Sequence, residues 1–205
     1  MKIIDLNTWN RKQHYNHFSS LVDSSFAVTI PFDVTKAYQF SKQNKLSFFA
    51  KYLHDSMKAI NAVDNLKYRI IDNEIIEYDV IHASPTLMRP DKTYGFSFIN
   101  FDEDLKIFIE NFEAEKERIQ NSTDLFPPNN GIDCVYCSAM PWLNFIAHKE
   151  PFSGENDSVP KIAFSKTEKV NNVLKMNVAI NVNHALADGY HVSLFADEFQ
   201  KNLNK

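Results

Sequence analysis

Glycine is nearly missing from this chain: four in 205 residues. That excludes a Gly-rich phosphate loop and a dinucleotide fingerprint, which need several glycines at fixed spacing so that backbone can approach a phosphate. Cysteine is scarcer still, with Cys134 and Cys137 alone, separated by Val135 and Tyr136. A zinc site of that spacing wants a second pair of ligands at similar spacing, and no such Cys or His pair follows it in the sequence. The neighbouring residues have strand character, and strand positions three apart face opposite ways, so a redox dithiol is disfavoured too. The pair is read as small, partly buried, strand-borne thiols, and no metal is expected. There is no basic stripe, and the net charge is -4; nucleic acid is not an expected partner. No apolar run approaches the roughly 20 residues of a membrane span, and Met1 to Asp5 lacks the apolar stretch of a signal peptide. A cytoplasmic protein without a membrane partner is expected. Low-complexity segments and internal repeats are missing as well, so one domain over 1–205 is expected.

What is present is aromatic: seventeen Phe, eight Tyr and two Trp. That is ample for a core, with rings to spare for a ligand pocket or a subunit contact. Hydrophobic periodicity and turn chemistry predict helices over 8–19, with Thr8 as N-cap, and from Asp33 to about Asn44. A stronger helix begins at Ser47, where Phe48, Tyr52, Met57, Ile60 and Val63 recur at mostly helical spacing. Long helices follow over 104–120 and 190–203. Strands are expected over 25–31, 66–71, 75–78, 81–88, 92–100, 132–138, 161–166 and 174–182. Asp72-Asn73-Glu74 and Asn171-Asn172 serve as hairpin turns, and 127–131 and 154–158 as loops. Tyr94, Phe96 and Phe98 would alternate onto one face of their strand. Helices without regular βα alternation give an α+β class, with helices on one side of a large mixed sheet.

The segment with most chemical content is Asn183-His184-Ala185-Leu186-Ala187-Asp188-Gly189. A strand ends, a short loop follows, and a helix begins. Such a strand end can hold an imidazole on rigid backbone, and imidazole is the side chain suited to moving protons near neutral pH. Spacing alone leaves two readings open: a catalytic His184, or a surface loop in which Asp188 merely caps the helix.

Three other segments narrow the choice. His184-x-x-x-Asp188-Gly189 resembles the signature of the chloramphenicol acetyltransferase family. Ser138-Ala139-Met140-Pro141-Trp142 resembles its Ser-x-x-Pro-Trp motif. Trp9-Asn10-Arg11-Lys12-Gln13-His14-Tyr15 resembles its N-terminal Trp-x-Arg-x-x-His-Phe motif, and Leu125-Phe126-Pro127 a further landmark. All four occur in family order, so the resemblance spans nearly the whole chain. It implies the two-layer mixed-sheet sandwich of the CoA-dependent acyltransferases.

The resemblance also implies roles. His184 would take the proton of a substrate hydroxyl as it attacks the thioester of acetyl-CoA, with no acetyl-enzyme. Ser138 would donate to the developing oxyanion, and Arg11 would pair with Asp188 to hold the His184 loop. Phe18, Tyr94, Phe96, Phe126 and Tyr136 match acceptor-pocket positions, although core packing explains such residues equally well. Trp142, Lys166 and Phe49 match positions that contact CoA. The acceptor would be a small-molecule alcohol, with chloramphenicol, and so antibiotic resistance, first in line. A homotrimer with interfacial active sites is implied.

The chain also departs from the family. Asn183 replaces a first His, Ala187 a common Cys, and Ala163 a Thr. Phe18 lacks the hydroxyl of a substrate-contacting Tyr. Tyr94 and Phe96 are bulkier than usual, and the stretch from Phe126 to Ser138 is one residue short. These changes gather in the acceptor pocket, which keeps a different alcohol open as substrate. A carrier-bound thioester enzyme and a silent CoA-binding homologue are the remaining alternatives.

Overall fold

The structure of the chain, a computed structural model, describes residues 1–154 and 157–205. Five helices and nine strands follow one another as β1(Lys2–Ile3), α1(Lys12–Phe18), β2(Ser25–Asp33), α2(Thr35–Gln43), α3(Phe48–Asn61), β3(Tyr68–Ile71), β4(Glu74–Glu77), β5(His82–Met88), β6(Tyr94–Phe96), α4(Leu105–Gln120), β7(Cys134–Met140), β8(Lys161–Val170), β9(Val173–Asn183) and α5(Gly189–Leu203). The fold is α+β, as expected. Its strands form not one sheet but two. Six strands run in the order β2-β9-β8-β7-β5-β6, and β1-β4-β3 form a separate small sheet. The large sheet is mixed: β7 is parallel to both β5 and β8, and the remaining pairs are antiparallel.

Strand alternation sorts the large sheet into two faces. Val135 and Cys137, Ile162 and Phe164, and Val178, Ile180 and Val182 enter the main core. There they meet Leu53, Met57 and Ile60 of α3, Phe108 and Phe112 of α4, and Phe195 and Phe199 of α5. The opposite face carries Ser84, Tyr136, Ser138, Lys161, Ala163, Asn181 and Asn183. A second core joins the small sheet to α1 and to the loop after β9, through Tyr15, Tyr68, Ile70, Ile75, Ala185 and Leu186.

Scarce glycine is offset by Asx residues in the turns. Asp72 and Asn73 lie at φ 49° and 65°, and Asn171 and Asn172 at 48° and 65°. Paired left-handed residues match the twist of a two-residue hairpin, and Asn and Asp tolerate that region better than other L-residues.

Several boundaries differ from the sequence expectation. Thr8 does not cap α1. Its hydroxyl bonds the Asp5 carbonyl in a preceding turn, and Arg11 takes the cap position. Asp33 does hold the start of α2, accepting from Thr35 N, although Val34 is the cap residue. Ser47 caps α3 through Ala50 N. Residues 64–66 form a 3-10 turn before β3, which therefore begins at Tyr68. β6 is cut to three residues, with only an isolated bridge at Ala83–Ile99 beyond it. Of the loop expected over 154–158, residues 155 and 156 lie outside the described residues.

Cys137 packs in the main core while Cys134 lies outside it, so the thiols do diverge. Burial pushes the Cys134 thiol up to about 12 and raises Cys137 as well. Among the described residues there is no metal-holding group of His, Cys, Asp or Glu, and no helix long and apolar enough to cross a membrane.

Candidate active site

β9 ends at Asn183, and the chain turns through His184 to Ala187 before Asp188 opens α5. Backbone and side-chain bonds pin this turn along its length. His184 N donates to Ser24 O (2.8 Å). Asn183 Oδ1 accepts from Ala185 N (2.9 Å), and Asn65 Nδ2 donates to Leu186 O (2.7 Å). Asn183 Nδ2 also donates to Asp157 O (2.9 Å), tying the turn to the segment before β8. Asn183, where the family carries a first His, thus acts as a brace.

Arg11 closes the turn. Its Nη1 forms an ion pair with Asp188 Oδ2, and its Nη2 reaches the His184 carbonyl at 3.5 Å. Asp188 Oδ1 accepts from Tyr190 N (3.0 Å) and lies 2.8 Å from His191 Nδ1. The two readings of Asp188, helix cap and partner of Arg11, are therefore both true, one on each carboxylate oxygen. Burial would push this carboxyl up. The Arg11 hydrogen bond, with the charges of His191 and Arg11, overcomes burial and holds it at about 2. His191 carried no distinctive signal except its place, three residues after a cap Asp, which is the capping-box position.

The His184 ring lies flat on Phe18, with centroids 3.9 Å apart and planes 7° apart, and Phe26 flanks it at 4.6 Å. Two rings hold the imidazole plane, and the residue is half-buried. Its Nδ1 is buried without a hydrogen-bond partner among the described residues.

A cavity of about 850 Å³ lies along β5 and β7 of the large sheet. Ser138, Tyr136, Tyr94, Phe96, Phe126, Phe49 and Trp142 all line it, so seven sequence-selected residues come together. Phe96 and Phe126 stack at 5.3 Å and Tyr94 meets Phe96 edge-on at 5.7 Å. Phe49 also packs against Tyr52 and Phe112, bridging cavity and core. Phe98 turns away onto His82. Lys166 is exposed on β8 and does not line the cavity. Neither His184 nor Phe18 lines it. Within one chain the selected residues thus lie in two separate places, as candidate half-sites: an imidazole braced on Phe18, and an aromatic cavity holding Ser138. Glu150, Ser153 and Lys161, none selected from the sequence, add a polar end to the cavity.

A family model described as chloramphenicol acetyltransferase matches residues 1–200. A chloramphenicol acetyltransferase of Bacillus pumilus is 27% identical over 199 residues, covering 96% of this chain and 90% of that protein. Chloramphenicol acetyltransferase 3 of Escherichia coli is 25% identical, covering 98% and 95%. A solved chloramphenicol acetyltransferase superposes with a TM-score of 0.89 at 22% identity, over 98% of this chain and 99% of that one.

Proposed function

The chain belongs to the chloramphenicol acetyltransferase family, and on that premise we propose that it transfers acetyl from acetyl-CoA to the hydroxyl of a small-molecule alcohol. The family match over residues 1–200 carries the reading. The clamp of Arg11 on the His184 turn supports it, because an orienting contact at that point has a purpose if the imidazole must be held.

In this reading His184 removes the acceptor's hydroxyl proton as the oxygen attacks the thioester carbonyl carbon. A new C–O bond forms. Ser138, whose side chain borders the cavity, donates to the oxygen that gains charge. One such donor contributes about 10²–10³ in turnover. The C–S bond then breaks, and His184 returns the proton to the departing CoA sulfur. Trp142 at the cavity rim, 64% exposed, offers an indole face to the CoA end. Lys166, out on β8, is left the part of a distant charge for a CoA phosphate. The residues present fit acetyl-CoA as co-substrate without a metal.

The two half-sites meet if chains assemble so that His184 of one faces the cavity of the next. A homotrimer closes such head-to-tail contacts in a ring. Leu21 and Val22, 46% and 87% exposed, lie just before the Ser24 that holds His184, and offer apolar surface for the contact. We place the protein in the cytoplasm, where acetyl-CoA is available. With chloramphenicol as acceptor the activity would confer resistance to it.

The test is release of free CoA thiol from acetyl-CoA in the presence of chloramphenicol or of other small alcohols. Release is expected with at least one alcohol, and His184→Ala should slow it by about 10²–10⁴. Undiminished release in that variant would remove His184 from the chemistry.

A further inference from the structure

The acceptor cavity has one end unlike the rest. Ser84 of β5, Tyr136 of β7 and Lys161 of β8 stand side by side in register across three strands, and all three line the cavity. The segment between β7 and β8 lays Glu150, Pro151 and Ser153 against the same wall. The polar groups here are unequally engaged. The Lys161 ammonium is satisfied by Pro151 O, Ser153 Oγ and the Asp157 carboxylate, which uses its three hydrogens and neutralises it. Lys161 is itself buried, 7% exposed, and so offers the cavity its methylene stem. Glu150 has only one oxygen engaged: Oε1 meets His148 Nε2 at 2.9 Å, and Oε2 has no hydrogen-bond partner among the described residues. The nearest other cation of the segment, Lys149, is paired with Asp23. Ser84 supplies an independent sign of a missing ligand. It is 2% exposed and lines the cavity, and among the described residues its hydroxyl oxygen has no hydrogen-bond partner of normal geometry. A buried polar atom left alone costs free energy unless a ligand completes it.

We propose that this end of the cavity is a subsite for a protonated amino group, so that the preferred acceptor is an amino alcohol and not a neutral one. The inference rests on the acetyl-transfer reading and names its substrate class. Glu150 Oε2 supplies the counter-charge, Ser84 Oγ a neutral acceptor, and Tyr136, in register between Ser84 and Lys161, the aromatic face that an ammonium favours. A neutral aromatic alcohol would fill the ring-lined part of the cavity and leave Glu150 and Ser84 unanswered, which is how a polar site rejects an analogue lacking the matching group.

A matched pair of acceptors tests this: chloramphenicol, and the free amine left when its dichloroacetyl group is removed. Thiol release from acetyl-CoA is measured for both near neutral pH, with the ester product identified by mass spectrometry. The wild type is expected to favour the amine by about 10-fold or more in kcat/KM. In Glu150→Gln that preference should fall towards one, and Glu150→Asp, which keeps the charge, should retain most of it. A preference at or below one in the wild type, or one unchanged by Glu150→Gln, overturns the subsite. Calorimetry with the amine alone separates this from the reaction itself. If no alcohol is acetylated, amine binding that weakens about 10-fold in Glu150→Gln supports the subsite while acetyl transfer falls. No binding of the amine overturns it.

Discussion

Asp188 divides its two oxygens between two tasks, and that division sets how acid affects the site. Oδ2 pairs with Arg11 and Oδ1 caps α5 beside His191. The carboxyl is depressed to about 2, so its contribution to stability is fully present above the unfolded value near 4 and is lost as pH falls towards 2. Thermal melting across that range should therefore show the gap between wild type and Asp188→Asn shrinking as pH drops from about 4 to about 2. A constant gap would mean that the pair adds nothing to stability. The partnership of Arg11 and Asp188 was legible from motif resemblance alone, since 177 residues separate them. Glu150 and Lys161 were not legible, because a charged residue in an irregular segment carries no periodic signal. Only the fold turns them inward.

At the level of elements, the small sheet depends on a single buried cation. Arg69 of β3 is 0% exposed and donates to the carbonyls of Ile132, Leu66, Tyr68 and Cys134. Burial lowers its guanidinium to about 10, which still leaves it charged at neutral pH. It joins the small sheet to the start of β7, the strand that carries Ser138. Arg69→Ala strands those carbonyls, and urea unfolding should show a loss of about 3–5 kcal/mol. A loss under 1 kcal/mol would show that water replaces the guanidinium. Long helices such as α3, α4 and α5 were readable because their apolar positions repeat over three or more turns. β1 was missed and β6 drawn too long for the opposite reason. Two or three residues carry no pattern of their own, and their extent is set by the strand they pair with. The division into two sheets was hidden likewise, since pairing between distant strands leaves no local mark.

Across the whole molecule, the parting of His184 from the Ser138 cavity, taken with the proposed trimer, predicts subunit complementation. His184→Ala and Ser138→Ala should each be nearly inactive alone. Mixed trimers reassembled from equal amounts of both should recover roughly a quarter of the wild-type sites, where an intact His184 meets an intact Ser138 of a neighbour. No recovery in verified mixed trimers would place both groups in the same chain's site. One further feature bears on how such proteins diversify. The parallel strands β7 and β8 are joined by residues 141–160, whereas His184, Arg11 and Ser138 stand at or near strand ends and helix starts. On the proposed roles, the amine-selecting Glu150 therefore lies in a different part of the chain from His184, Arg11 and Ser138. Recombination that swaps residues 143–153 between homologues could change which molecule is modified while inheriting His184, Arg11, Ser138 and Trp142 intact.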